Sequence, residues 1–275
     1  RRAVGKVTDR AGMRRLIDGY DVGVRYVDEQ IGKVVAKLKA LGIYDDTAII
    51  ISGDHGENLG ELGIYAEHGT ADDITCRVPM IIKWPGGRRK AVEDGLHYNL
   101  DLAPTLMELM QREAPKLWDG QSYAAAITSD EPAGRDQLVL SQCCHVCQRS
   151  VRWDKWLYMR TYHCGYHLFP QEMLFNLETD PHEQHNIAHT HPQVCREGAW
   201  RLAEWHDEQM QKMSRTCSDS VDPLWTVMRE HGPQHARVHS PGSPGSIENM
   251  RKYLKRLENT GRSDGARALQ EKYGP

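Results

Sequence analysis

Ala48-Ile49-Ile50-Ile51-Ser52-Gly53-Asp54-His55-Gly56-Glu57 is the stretch on which the fold turns. It opens with a short continuous apolar run rich in β-branched residues. That is the pattern of a strand buried on both faces, and of a strand more than of a helix at this length. The run stops at Gly53, and a carboxylate and an imidazole follow at once. Asp54 and His55 therefore lie at the carboxyl end of the strand, the edge of an open α/β sheet where ligands bind. The two flanking glycines let the backbone turn sharply and approach a ligand. A carboxylate beside an imidazole can serve a hard divalent ion. The tripeptide alone also suits a strand-ending turn in which His55 caps a helix.

Upstream, Met13, Leu16, Ile17, Tyr20, Val24, Val27, Ile31, Val34, Val35 and Leu38 recur at spacings of three and four. They predict one amphipathic helix over 12–41, with Gly42 as its stop and Asp45-Asp46 as a polar turn before the strand. Downstream, Val78 to Trp84 repeats the buried-strand pattern and is closed by Pro85-Gly86-Gly87. Residues 101–111 predict a helix with Asp101 as N-cap and Pro104 in its first turn. Helix, strand, loop, strand and helix in this order give an α/β layer architecture.

After about residue 130 the character changes. Segments 137–142, 149–162 and 172–177 read as strands and 192–213 as a helix, which predicts a small antiparallel sheet with one covering helix. From 214 the chain is polar and irregular. Ser240 to Ser246 is a Pro/Gly/Ser linker, and a last helix is expected from Ile247 to Leu257. The expected divisions are 1–130, 131–213 and a tail at 214–275, the tail packing on its own domain or on a second subunit as a route to a homo-oligomer.

The order of elements from 12 to 213 resembles the sulfatase family of the alkaline phosphatase superfamily. The resemblance is carried by four elements in sequence. The helix leads through Asp45-Asp46-Thr47 into the strand ending Ser52-Gly53-Asp54-His55-Gly56, with a glycine-rich loop to Thr70. Then come Val78-Pro79-Met80-Ile81-Ile82-Lys83-Trp84-Pro85-Gly86 and Asp101-Leu102-Ala103-Pro104-Thr105-Leu106. Last is Leu174-Phe175-Asn176-Leu177-Glu178-Thr179-Asp180-Pro181-His182-Glu183 with Asn186-Ile187-Ala188. Four ordered elements are far more specific than any one motif.

The resemblance implies a partial alkaline-phosphatase-like mixed sheet flanked by helices. It also implies hydrolysis of a sulfate ester or sulfamate. Asp54 and His55 would coordinate one divalent cation, calcium in preference to magnesium. The family places a lysine about thirteen residues after that aspartate to bind the sulfate or the leaving oxygen. Glu67 stands there in this chain and His68 comes next, so the role moves to His68 as an imidazolium. A solvated loop histidine is the plain alternative.

The nucleophile in this family is a formylglycine made in Cys/Ser-x-Pro-x-Arg, and no Cys or Ser here opens that pattern. Cys76-Arg77-Val78-Pro79 is one residue too long and lies on the wrong side of the metal motif. The formylglycine and the family's paired aspartates are therefore expected upstream of Arg1, and this chain alone is expected to be inactive. Asp45-Asp46 and Asp72-Asp73 read as solvated loop charge. A phosphonate or phosphate ester hydrolase of the same superfamily, or a non-catalytic module that binds metal or a partner, remain as alternatives. The expected substrate is a sulfated small molecule or carbohydrate.

Basic and acidic residues nearly balance, 35 against 38, which leaves no electrostatic footprint for nucleic acid. No stretch reaches the length of a membrane span. Cys143, Cys144 and His145 with Cys147, and His163, Cys164 and His167 further on, contain a single Cys-x2-Cys spacing. With no second well-spaced pair, thiols packed in strands are expected over a zinc site. Trp153, Trp156, Tyr158, Tyr162 and Tyr166 suit a packed sheet face more than a carbohydrate platform.

Overall fold

A computed structural model describes residues 7–129, 131–143, 146–165, 167–216, 222–230 and 246–273. They form two compact units, one of Arg1–Gly60, Ile64–Ala66 and Arg77–Leu138, the other of Glu61–Gly63, Glu67–Cys76 and Val139–Pro275. The α/β class read from the sequence stands, and no helix among the described residues is long and apolar enough to cross a membrane.

In the first unit, α1 runs over Arg10–Ala40. Asp9 caps it, its carboxylate accepting from the Gly12 N–H at 2.6 Å. It ends in a Schellman motif: Gly42 at φ +70 sends its N–H to Lys39 O, and Ile43 sends its own to Leu38 O. The turn that follows is held by one side chain. Lys83 Nζ donates to the carbonyls of Tyr44 (2.7 Å), Asp45 (2.8 Å) and Thr47 (3.0 Å), and lies over the Tyr44 ring. Asp45 and Asp46 are exposed, as expected.

Strand β1 (Ile49–Ser52) emerges from that turn; further along lie a short ribbon of β2 (Asn58–Leu59) with β3 (Tyr65–Glu67), the single-turn helix α2 (Asp73–Cys76), which belongs to the second unit, and β4 (Met80–Lys83). β1 pairs antiparallel with β4, Ile50 facing Ile82 and Ile51 facing Ile81. The expected burial on both faces is not met. Ile49, Ile50 and Ile51 are half-buried, Ile81 is exposed, and on α1 Ile17, Tyr20, Val24, Val27 and Val34 are exposed while only Gly12 and Leu16 are buried. The stripe exists as written, but within this unit two strands and short helices do not supply enough surface to cover it.

Helix α3 (Leu102–Leu109) follows a 3-10 turn at Asn99–Asp101, and α4 covers Ala124–Thr128. Asp101 occupies the N-cap position of α3 but does not cap it with its carboxylate. That carboxylate is buried and turned away, accepting from the Tyr98 N–H (2.7 Å), the Gln121 N–H (2.8 Å) and the Arg135 guanidinium in a two-pronged pair. Burial pushes its acidity one way, and these donors more than offset it, so the group stays below the usual carboxylate range.

The second unit is built on a four-stranded sheet in the order β5 (Gln137–Gln142), β6 (Cys147–Trp153), β7 (Trp156–His163), β8 (Glu172–Asn176). The segment 149–162, expected as a strand, is a hairpin. Trp153 pairs with Trp156 across Asp154-Lys155, and Asp154 takes φ 44. One helix covers the sheet as expected: α5 (Pro192–Thr216) packs Cys195 and Leu202 on Val151, Trp153, Tyr158 and Leu174. Gly198 lets the helix come close, since a Cβ there would meet Tyr158 Cβ at 2.5 Å. The opposite face is closed too, Leu157, Met159, Met173 and Phe175 being packed with Leu62, Phe169 and Leu177. Trp153 and Tyr158 are core residues, as expected over a sugar platform.

Past α5 the described residues form three further helices, where the polarity of the sequence suggests irregular chain with one terminal helix. α6 (Pro223–Glu230) is capped by Asp222, which accepts from the Leu224 N–H and takes a two-pronged bond from buried Arg149 at 2.9 Å on each oxygen. Trp205 lies under that guanidinium. α7 (Ser246–Asn259) and α8 (Ser263–Tyr273) form a hairpin that buries Leu257, Ala266 and Leu269 beside Tyr253 and Leu254. The expected linker 240–246 lies outside the described residues except for Ser246, which opens α7.

Candidate functional site

Antiparallel pairing ends at Ser52, and the chain turns through Gly53 to expose two polar side chains in succession. The Asp54 side chain is 91% exposed and that of His55 39%. Asp54 Oδ1 accepts from the His55 N–H at 3.1 Å, which tethers the carboxylate to its own loop. His55 Nδ1 lies 2.8 Å from Gly56 O. A carbonyl can only accept, so Nδ1 carries the proton and Nε2 keeps its lone pair when the ring is neutral. Nε2 is 3.7 Å from Asp54 Oδ2. Two donor atoms at that spacing, with the histidine's other nitrogen tied to a backbone carbonyl, suit adjacent ligands of one cation. The residues present therefore fit the divalent ion that the resemblance implies.

His68 belongs to the second unit, in the segment Glu67–Cys76. Its side chain is exposed, and its carbonyl accepts from Gln142 Nε2 at 3.3 Å. From there the segment is pinned to the sheet. The Ala71 N–H donates to Gln148 Oε1 at 3.2 Å, and Ser150 Oγ donates to Ala71 O at 2.5 Å. Gln148 and Ser150 are fully buried on β6, and Gln148 is itself oriented by Thr161 Oγ1 at 3.0 Å.

Asp72 and Glu183 were not foreseen. Asp72 reads as solvated charge in the sequence and is 0% exposed in the structure. Its Oδ2 accepts from the Thr75 N–H at 3.2 Å, opening α2, and the next N–H, of Asp73, donates to Glu183 Oε1 at 2.9 Å. Glu183 is 2% exposed and sits at φ 50, a left-handed conformation that a non-glycine residue adopts at a cost of about 1 kcal/mol. Burial raises the Glu183 carboxyl well above its usual range, and the Asp72 charge adds to the effect. Asp72 is raised as well, by burial against the hydrogen bonds from Thr70 and Thr75. The Cys76 thiol is pushed up to about 12 by burial and by these acids. Glu183 lies in the motif that carries the family resemblance, but nothing in its spacing points to a contact 110 positions away.

Cys144, His145 and Tyr166 lie outside the described residues. Among the described residues, Cys143, Cys147, His163, Cys164 and His167 do not converge as three ligands. The Cys147 thiol hydrogen-bonds Cys143, lowering the Cys143 thiol and raising its own.

Comparison with known proteins decides the family. The model described as Sulfatase matches residues 2–112, and the one described as N-sulphoglucosamine sulphohydrolase, C-terminal, matches residues 60–204, more than half the chain. The chain belongs to the sulfatase family. Among the relatives of this sulfatase chain is the choline-sulfatase of Rhizobium meliloti (strain 1021), 28% identical over 261 residues, covering 88% of this chain and 48% of the relative. The solved structure of a 2-O GAG sulfatase superposes with a TM-score of 0.64 at 23% identity, over 87% of this chain and 52% of that one. A phosphonate monoester hydrolase from Silicibacter pomeroyi superposes with a TM-score of 0.58 at 25% identity, over 70% and 40%. The chain thus spans about half the length of the proteins it matches. The SGDHG loop lies in the stretch matched by the first family model, and Glu183 in that matched by the second.

Proposed function

We propose that this chain is the C-terminal portion of a metal-dependent sulfuric ester hydrolase acting on a sulfate ester or sulfamate of a small molecule or carbohydrate. The observation that carries the reading is the Asp54–His55 pair, with Nε2 and Oδ2 at 3.7 Å on a strand end of a sulfatase-family chain. In this reading Asp54 and His55 hold one divalent cation, calcium in preference to magnesium, and either of these over zinc because a carboxylate oxygen is among the ligands. When bound, the ion supplies Lewis-acid polarisation of an ester oxygen. The chain's own residues orient and deliver a proton. Asp54 fixes the loop through the His55 N–H, and Gly56 O sets the His55 tautomer. His68, as an imidazolium, pairs with a sulfate oxygen or protonates the leaving oxygen. The formylglycine nucleophile belongs to sequence outside these residues.

The test is made on the whole enzyme. Asp54→Ala is expected to abolish turnover, as is EDTA, with calcium restoring the EDTA-treated enzyme alone. Activity that survives both would remove the assignment. The present chain by itself is expected not to turn over p-nitrophenyl sulfate, because no residue in it supplies the nucleophile. A second reading, hydrolysis of a phosphonate or phosphate ester, is favoured by the likeness to the Silicibacter pomeroyi enzyme. Relative kcat/KM on p-nitrophenyl sulfate and on phenyl phosphonate esters separates the two.

A further inference from the structure

We propose that Glu183 is a positioning residue for His68, acting through the segment Glu67–Cys76 and doing so as a neutral carboxyl group. The proposal rests on the reading of His68 as a substrate-facing group. Glu183, in turn, reaches no substrate in this scheme. Its Oε1 accepts the Asp73 N–H at 2.9 Å, and the Ile74 backbone also donates to this carboxyl group, the donors that open α2. Asp72 takes the next donor through Thr75. The two acids thus close the C-terminal end of a segment whose middle is held by Gln148 and Ser150 and whose first part carries His68.

Two features mark this as more than ordinary capping. Glu183 is held at φ 50, so the backbone is kept in an unfavourable conformation that aims the side chain inward. The second feature is charge. Asp72 Oδ1 and Glu183 Oε2 are both buried and meet no hydrogen-bond donor from the protein. The titratable groups acting on them are Asp72, Asp73, Cys76 and Glu183 itself, and Arg152 lies against Asp73 at 3.9 Å. Two buried carboxylates facing that set cannot both stay ionised at neutral pH without a large penalty. Protonation of Glu183 removes one charge and leaves its Oε1 able to accept from α2. A glutamine would do the same, its carbonyl accepting and its amide standing where the hydroxyl was.

This gives a discriminating test. In the present chain, Glu183→Ala is expected to raise hydrogen exchange of the Asp73 and Ile74 amides roughly tenfold or more, with the β6 and β7 amides unchanged. Glu183→Gln is expected to restore wild-type protection, which a cap that works by negative charge would not allow. The pH dependence gives a second readout. A carboxyl with a raised folded-state value keeps its proton in the fold where the unfolded chain has lost it. Stability is therefore lost as pH rises from the ordinary value of 4.5 towards the raised one. Glu183→Gln lacks that loss, so its melting temperature is expected to gain on wild type as pH rises above the ordinary carboxyl value of 4.5. Parallel curves, or exchange in Glu183→Gln as fast as in Glu183→Ala, would overturn the proposal. If Glu183→Ala does not fold, the glutamine comparison still decides.

In the whole enzyme, Glu183→Ala and His68→Ala are expected to depress kcat alike for poor leaving groups and little for nitrophenyl esters, with Glu183→Gln restoring it. Altered exchange without that kinetic pattern would leave the segment clamp standing and remove the role of His68.

Discussion

At the scale of single residues, Lys83 has the clearest structural task. Three carbonyls of the turn before β1 converge on its ammonium, which reaches them from β4. Lys83→Met keeps most of the length of the side chain and removes the ammonium, with its three bonds and its place over Tyr44. It is expected to destabilise by about 2 kcal/mol, within the range for hydrogen bonds to a charged donor. A lower urea midpoint at unchanged slope would show it, and a shift below about half a kcal/mol would mean the three bonds are not made in solution. The turn leads directly into the strand that ends at Asp54, so its loosening also reaches the proposed metal pair. Asp101 carries a related lesson. Sequence offers it as a helix cap, yet a half-buried arginine 34 positions away takes its carboxylate. Local signals place a polar residue at a helix start but do not say which partner wins it.

At the scale of elements, α5 lies close against the β5–β8 sheet at Gly198. Gly198→Ala would gain about 1 kcal/mol of helix propensity if the site were open. Instead the new methyl meets Tyr158 Cβ and Cγ at 2.5 Å, and overpacking of that kind costs about 1–3 kcal/mol. A net fall in melting temperature is expected, and a rise would show that the helix stands further off. The elements themselves were largely legible. Apolar spacing of three and four gave α1 nearly to its ends, the expected helix 192–213 matches most of α5, and continuous apolar runs gave β1 and β4. The β6–β7 hairpin was missed because its turn residues, Asp154-Lys155, contain neither Gly nor Pro, and the aromatic pattern runs on through them. The strand-end position of Asp54 and His55 was legible because the apolar run stops at Gly53, directly before them. Asp72 and Glu183 were not, since long-range pairing of two acids leaves no period in the sequence.

At the scale of the molecule, the two units differ in how far they satisfy themselves. The second closes both faces of its sheet from its own residues. The first leaves Tyr20, Val24, Val27, Val34 and Ile81 in water, a degree of apolar exposure that self-contained domains avoid. Any study of this chain must also decide where it can be trimmed, and the Arg149–Asp222 pair sets the limit. Composition invites a cut at 213, where regular sequence gives way to polar sequence. That cut deletes Asp222 and leaves Arg149, 5% exposed, in the interior with no counter-charge. Removing one partner of a buried pair costs about 3–5 kcal/mol. A chain ending at 213 is therefore expected to melt far below one ending at 231, and Arg149→Met in the shorter chain should recover part of the difference. If both lengths melt alike, Asp222 is dispensable. If they do not, a stretch that looks like an unstructured tail sets the shortest length at which the sheet can stand.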